Sequence, residues 1–402
     1  MNPSKKGQKG SDPNCTFVYP MLFEPNLHTV VWGGERLVQW KNLKKEPNSK
    51  KVPNGTDAKS RGDSSLLGSS RDAKEEERRS TVPNGTDWEH VGESWEVSAV
   101  ESSPSVVANG AWAGKTLPEV VASAPEEILG KAVARRNGGK MPLLVKFIDA
   151  RKDLSIQVHP NDEMALREHN KLGKSEMWYI LDAEPGACIY AGFKKKLQAD
   201  EYKRMVEDGT ITEALAKHEA HAGDVFYIPA GRVHAICSGI LLAEIQQSSD
   251  VTYRIFDYNR PGLDGKPREL HTAYAAQALN YKVERKYRTD YAVRNDRANL
   301  IMESKFFSAR VTEISHEFHR NLLKYDSFII TMCLKGDCVI KVRATGDEVV
   351  VKEGYSCLIP AAVSDYDIRP VDGSCKVLDA FIDNQRGGLV NKIHRLFHKN
   401  KY

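Results

Sequence analysis

Apolar positions in this chain come in short runs of about four to eight residues, broken by Gly and Pro, and rarely at the three-and-four spacing of a helix. Runs of this length predict strands at 143–148, 154–158, 177–181, 187–190, 224–228, 233–237, 240–247 and 252–256. Helical patterning is confined to two stretches. Residues 116–136 read as helix, with Thr116 or Ser123 as caps. Residues 198–219 form a helical interlude in which Asp200 can cap one helix and Thr210-Ile-Thr-Glu213 has capping-box spacing for a second.

After a link near 260–290, a second strand-rich block runs from about 298 to 383. It echoes the first. Gly354-Tyr-Ser-Cys-Leu-Ile-Pro360-Ala repeats the Gly-x5-Pro-Ala spacing of Gly223-Asp-Val-Phe-Tyr-Ile-Pro229-Ala. The His that follows the first copy has no counterpart, and Ser364 and Asp365 stand near its place. Many short strands with Gly and Pro punctuation imply antiparallel barrels or sandwiches. The expected fold is mainly β: two jelly-roll β-barrels with a helical insertion at 198–219.

Composition changes this picture at three places. Between Lys41 and Asp87 the chain turns polar and low in complexity, and Val52-Pro-Asn-Gly-Thr-Asp57 recurs as Val82-Pro-Asn-Gly-Thr-Asp87. This reads as an expanded loop interrupting the first unit, with a brief charged helix at Asp72–Arg79. The polar start and the basic end read as tails. The expected boundaries are therefore a tail at 1–16, a catalytic unit at 17–290 interrupted at 41–87, a degenerate metal-free unit at 291–385, and a tail at 386–402. With a net charge of +4 over 402 residues, nucleic acid is not an expected partner. No apolar run approaches the ~20 residues that span a bilayer. Seven cysteines without a CxxC pair point to a reducing, cytoplasmic setting rather than a disulfide framework.

Candidate chemistry gathers in the first unit. Gln157 and His159 lie two apart on a strand and so share a face. Glu176 opens the strand Glu-Met-Trp-Tyr-Ile-Leu, and His234 follows a Pro229-Ala-Gly231 turn. Two imidazoles, a carboxylate and an amide oxygen, with no thiolate, suit a catalytic zinc or iron(II) site. Glu244, in the apolar run Leu241-Leu-Ala-Glu-Ile, is a candidate general base, with Asp250 and Asp257 as competitors and His221 behind them. Arg254 and Lys174 are candidates for holding an oxyanion or a phosphate. Lys146, mid-strand, either faces the pocket or pairs with an acid such as Glu96. Glu93 and Glu96 flank Trp95 and with Trp178 and Tyr179 form pocket wall, unless the aromatic residues are core.

The Gly-x5-Pro-x-Gly-x2-His run resembles the second cupin motif. Pro142-Leu-Leu-Val-Lys146-Phe-Ile-Asp-Ala, Leu-Ser155-Ile-Gln157-Val-His159-Pro-Asn-Asp and Gly173-Lys174-Ser-Glu176-Met-Trp-Tyr are similar to type I mannose-6-phosphate isomerases, most closely the short bacterial form. So is Glu244-Ile-Gln-Gln-Ser-Ser-Asp250-Val-Thr-Tyr-Arg254-Ile-Phe-Asp257-Tyr-Asn-Arg260. The resemblance covers residues 17–40 and 91–282, and more faintly the second block. It implies a cytoplasmic isomerase that interconverts mannose 6-phosphate and fructose 6-phosphate through a cis-enediol, with one zinc per chain held by Gln157, His159, Glu176 and His234. It places Lys146, Lys174, Glu244 and Arg254 around a hexose 6-phosphate, with Asp250 nearby. Two other readings of the same residues stay open: an iron-dependent cupin oxygenase, and a sugar-phosphate-binding cupin without turnover.

Overall fold

The computed structural model describes residues 18–45, 81–82 and 87–384. The tails expected at 1–16 and 386–402, most of the 41–87 insertion and the helix expected at Asp72–Arg79 lie outside the described residues. Lys44–Lys45 and Thr81–Val82 pair in parallel and so draw the two ends of the insertion together.

Two sets of eight antiparallel strands make up the body. The first set comprises β1 (Leu143–Ala150), β2 (Ile156–Val158), β3 (Glu176–Ala183), β4 (Cys188–Phe193), β5 (Leu215–Glu219), β6 (Val225–Ile228), β7 (His234–Ile236) and β8 (Ile240–Gln247). The second comprises β9 (Ser308–Ile314), β10 (Phe318–Asn321), β11 (Ile329–Lys335), β12 (Cys338–Val342), β13 (Glu348–Val351), β14 (Ser356–Ile359), β15 (Asp365–Pro370) and β16 (Cys375–Phe381). The first set forms a larger sheet in the order β6-β3-β8-β1 and a smaller one in the order β5-β4-β7-β2. The second repeats both orders eight strands later: β14-β11-β16-β9 and β13-β12-β15-β10. This is jelly-roll topology twice over, and the echo seen in the sequence is a structural repeat. Strands at Leu27–Gly34 and Val91–Val97 extend the first larger sheet beyond β1, and Tyr253–Phe256 extends the smaller one beyond β2.

Alternation along the strands decides what each face buries. Trp178, Ile180, Leu242 and Ile148 point between the two sheets of the first unit and meet Ile189, Ala191 and Ile236 from the smaller sheet. Their neighbours Met177, Tyr179, Ala243 and Phe147 point the other way, into a core shared with Ile330, Met332, Leu378 and Ala380 of the second unit. The larger sheets are thus buried on both faces, so their strands read as nearly continuous apolar runs. Gly223 and Gly354, both at positive φ (+91° and +82°), turn the chain into β6 and β14. That requirement explains the glycine of the repeated Gly-x5-Pro spacing.

The stretch read as helix over 116–136 is three short helices, α1 (Leu117–Ser123), α2 (Pro125–Leu129) and α3 (Lys131–Arg136). Thr116 caps α1 through a capping box with Glu119; Pro125 and Gly130 break the run. The 198–219 interlude is helical only in part. A helix, α4, spans Ala199–Glu207 and a 3-10 turn spans Ile211–Ala214, but residues 215–219 are strand β5. Pairing with β4 overrides the local helical bias there. Asp200 lies in the first turn of α4, behind the cap position at Gln198. A further helix, α5 (Thr272–Ala278), falls in the link that carried no regular element in the sequence reading.

Candidate active site

The smaller sheet brings Gln157 and His234 directly opposite each other on β2 and β7, and the larger sheet faces them with Glu176 at the start of β3. His159 follows β2. His159, Glu176 and His234 are all at most 1% exposed and offer donor atoms within 4.8 Å of one another, the one such cluster among the described residues. The tight turn that delivers His234 depends on Gly231 (φ +88°), where a Cβ would lie 3.0 Å from the Ala278 carbonyl oxygen.

Each imidazole is held by its Nδ1. That of His159 lies 3.0 Å from the Val251 carbonyl and that of His234 lies 2.8 Å from the Arg232 carbonyl. Carbonyls only accept, so both Nδ1 atoms carry the proton and both Nε2 lone pairs face inward. Those Nε2 atoms sit 3.3 Å from Oε2 and Oε1 of Glu176 respectively. Burial, with the Lys174 charge added, pushes the His159 pKa down to about 3, and burial lowers that of His234 too, so both rings are neutral. Glu176 is buried yet held well below the usual carboxylate range, and with both rings neutral the charge that does so is the Lys174 ammonium at 2.9 Å. Neither of its oxygens has an aligned hydrogen bond. A buried, ionised carboxylate without an aligned hydrogen bond, facing two inward lone pairs, is a donor set suited to a divalent cation. Gln157 lies alongside, its Nε2 at 3.3 Å from His234 Nε2 and its Oε1 at 3.3 Å from the Ser155 hydroxyl. Turning the amide over changes no volume and presents Oε1 to the same cluster.

Next to this cluster lies a cavity of about 250 Å³, lined by Gln157, Lys174, His234, Glu244, Asp250 and Arg254 among others. Charges alternate across it. Glu93 accepts from Lys146 at 2.9 Å; Lys146 lies 4.0 Å from Glu244; Glu244 lies 3.8 Å from Lys174; Lys174 lies 2.9 Å from Glu176. Burial works against the Lys174 ammonium, but Glu176 and Glu244 hold its pKa above the ordinary value. Glu244 goes the other way: burial and the neighbouring Glu176 charge raise its carboxyl. The Trp178 indole donates to Glu244 Oε2 at 3.0 Å, while Oε1 has no hydrogen-bond partner. Arg254 reaches the other end of the cavity. Its Nη1 donates to the Glu269 carbonyl at 2.8 Å, and its buried Nε has no partner.

The remaining candidates separate. Asp250 lines the cavity but is ion-paired with Lys171 at 2.6 Å. Asp257 is locked by Arg268 and Arg260 at 2.6 and 2.9 Å and held below the usual range, which disqualifies it as a base. His221 is exposed in the connection between β5 and β6. The partner of Lys146 is Glu93 and not Glu96, which is buried against Lys41 at 2.7 Å. Trp95 and Trp178 line the cavity, whereas Tyr179 faces the shared core. Glu93, read beside Trp95 as pocket wall, does line the cavity. The basic lining residue Arg268, in the loop after Pro267, went unread because nothing in its local sequence marks it.

Comparison with known proteins gives the same family from both units. The model of the phosphomannose isomerase type I catalytic domain matches residues 63–223, and that of the mannose-6-phosphate isomerase cupin domain matches 298–381. The chain is 34% identical over 298 residues to the putative mannose-6-phosphate isomerase YvyI of Bacillus subtilis, covering 73% of this chain and 90% of that protein. It is 31% identical over 291 residues to the mannose-6-phosphate isomerase of Streptococcus mutans, covering 72% and 88%. The crystal structure of the mannose 6-phosphate isomerase from Bacillus subtilis superposes with a TM-score of 0.72 at 28% identity, covering 90% of this chain and 99% of that one.

Proposed function

The chain belongs to the type I phosphomannose isomerases, and we propose that it interconverts mannose 6-phosphate and fructose 6-phosphate through a cis-enediol with one zinc per chain. The observation that carries this reading is the buried Glu176 carboxylate, both oxygens without an aligned hydrogen bond, facing two imidazoles whose Nδ1 protons are already committed to carbonyls. His159, Glu176 and His234 would hold the metal, and Gln157 would add its amide oxygen. Bound there, zinc would stabilise the negative charge that develops on the sugar oxygens at C1 and C2. The donor set alone does not select zinc over iron(II); the family supports zinc, and Lys174 and Arg254 in the cavity favour a sugar phosphate over oxygen chemistry.

The chain's own groups divide the remaining work. Glu244 takes the proton from C2 of the aldose and returns it at C1. Its Oε1 is free while Trp178 fixes Oε2, and its raised carboxyl lets it both accept and release a proton. Lys174, with its ammonium between Glu244 and Glu176, supplies positive charge beside the reacting oxygens. Arg254 offers a buried N–H for the phosphate, and Lys146 bridges Glu93 and Glu244 at the cavity wall. Asp250 contributes at the rim. The cytoplasm is the expected compartment, where the phosphorylated substrate is made.

The same reading divides the chain into a catalytic unit and a metal-free second unit that supports it. The test is turnover of mannose 6-phosphate by purified protein before and after chelation, with zinc added back. Loss on chelation and recovery with zinc supports the assignment; no turnover from protein holding stoichiometric zinc overturns it and favours a binding role.

A further inference from the structure

Six cysteines lie among the described residues, all buried, and two stand apart from the rest. Cys188 opens β4 and Cys237 directly follows β7. They face each other across the strand pair: the Cys237 N–H donates to the Cys188 carbonyl at 3.1 Å, and their thiols are hydrogen-bonded at 2.9 Å between sulfurs. Strand alternation sets their side. Ile189, Ala191 and Ile236 point into the first unit, towards His234. Cys188 and Cys237 therefore point outward, on the reverse of the sheet that carries Gln157 and His234. There they line a separate cavity of about 320 Å³ with Asp153, Lys217 and Tyr258. The Tyr258 hydroxyl in that cavity has no partner.

We propose that Cys188 and Cys237 are a dithiol modification site that takes a hydroperoxide and closes reversibly to a cross-strand disulfide. Residues directly opposite in an antiparallel pair have Cα atoms ~4.5–5.5 Å apart, within the range a disulfide spans. The bond can therefore form without moving either strand. Cys188 is the attacking sulfur. Its hydrogen bond with Cys237 and the nearby Lys217 charge lower its pKa, whereas the same bond and burial raise that of Cys237. The Cys188 thiolate attacks one peroxide oxygen and the O–O bond breaks. The departing oxygen takes up a proton as water, or as an alcohol from an organic peroxide, leaving a sulfenic acid. The Cys237 sulfur then attacks Cys188, its proton leaves with the sulfenic hydroxyl as water, and the S–S bond closes. Peroxide is reduced by the two electrons the thiols lose. The other four cysteines sit in the core of the second unit at 3% exposure or less, and none lines a described cavity.

The experiment treats the reduced, full-length protein with hydrogen peroxide, alkylates the remaining thiols and maps the peptides by mass spectrometry. The expected result is joint loss of alkylation at Cys188 and Cys237, a linked peptide pair lighter by two hydrogens, and reversal by dithiothreitol. C188S and C237S should each abolish the link and leave turnover under reducing conditions unchanged. C237S should instead accumulate oxygen adducts on Cys188. C188A and C237A repeat the test should a serine variant fail to fold. Unchanged alkylation of both cysteines, oxygen adducts without a link in the unsubstituted protein, or a link to any other cysteine overturns the proposal.

Discussion

Glu244→Gln separates a general base from a structural carboxylate. The amide has the shape of the carboxylate, and its oxygen can still accept the Trp178 indole N–H that now binds Oε2 at 3.0 Å. What it removes is the charge. Oε1 lies 3.8 and 4.0 Å from the Lys174 and Lys146 ammonium groups, attractions of about 4 kcal/mol each at an effective dielectric near 20. Against them stand burial at 3% exposure and the repulsion of Glu176, and these win, because the Glu244 carboxyl is raised above its ordinary value. A folded-state pKa above the unfolded one means that the ionised group weakens the fold once pH exceeds the ordinary carboxyl range. The substitution should therefore leave the melting temperature unchanged or higher at neutral pH. Catalysis should move the other way. Loss of a positioned base costs about 10²–10⁴-fold in kcat, or about 2.7–5.5 kcal/mol of barrier. The assay pairs a coupled fructose 6-phosphate readout with solvent-deuterium incorporation at C1 and C2, melting temperature and bound metal. Activity within about tenfold of the unsubstituted protein would refute the base assignment. A loss of activity that tracks loss of metal or of melting temperature would assign Glu244 a structural role instead.

Lys41→Met strands the Glu96 carboxylate, which the buried ammonium contacts at 2.7 Å; it should cost about 3–5 kcal/mol in urea melts, and adding Glu96→Gln should recover much of it. Asp257→Asn releases Arg260 and Arg268, the second of which lines the cavity; steady-state kinetics should show KM for the sugar phosphate rising several-fold with kcat nearly unchanged, and the reverse split would contradict a role in substrate binding. Glu93 is held down to about 2, burial opposing but Lys146 and the Trp95 indole prevailing. Its stabilisation is thus present above pH ~4.5 and lost as pH falls towards 2, an amount on the order of 3 kcal/mol; Glu93→Gln should flatten the acid limb of stability against pH.

Strands were legible because each is short, apolar and bounded by Gly or Pro, and the buried His159, Glu176 and His234 cluster was legible because short strands with spacing-two and turn-following positions bring such residues onto inward faces. The partner of Lys146 was not. Glu93 and Glu96 differ by an odd number of positions, so they point to opposite faces of the strand at Val91–Val97, and only one can reach the cavity. Which one depends on a packing partner, Lys41, which sits at the edge of the low-complexity insertion. Helix α5 was missed because Thr-Ala-Tyr-Ala-Ala-Gln-Ala has few large apolar residues to show a period; it buries Ala275 beside Tyr253. The order of charges from Glu93 to Glu176 is tertiary throughout: no two of its neighbouring members, save Lys174 and Glu176, are close in the chain.

The repeat also shows how one topology keeps or drops a candidate metal centre. Strand pairing gives the correspondence. Glu176 pairs with Ile228 in β6, and Ile329 pairs with Ile359 in β14, so Ile329 stands in the place of Glu176. By the same register Asp379 stands in the place of Glu244, and Arg310, opposite it, in the place of Lys146. The loop after Pro360 differs by one residue from that after Pro229. The inward position matching His234 is therefore Tyr366, not the Asp365 that spacing alone suggests, and its cross-strand partner Arg320 matches Gln157. Leu322, two residues on, falls at His159. The four candidate donors of the first unit, Gln157, His159, Glu176 and His234, thus become Arg320, Leu322, Ile329 and Tyr366. An arginine and two aliphatic side chains have no lone pair to offer a cation. In their midst Arg320 and Asp379 close at 2.6 Å, with Thr331 donating to the second carboxylate oxygen at 2.8 Å. A buried acid at the Glu244 position persists in both units, but in the second an adjacent guanidinium satisfies it. That exchange turns a poised carboxylate into a packed ion pair, and it is the physical reason to place the chemistry in the first unit and support in the second.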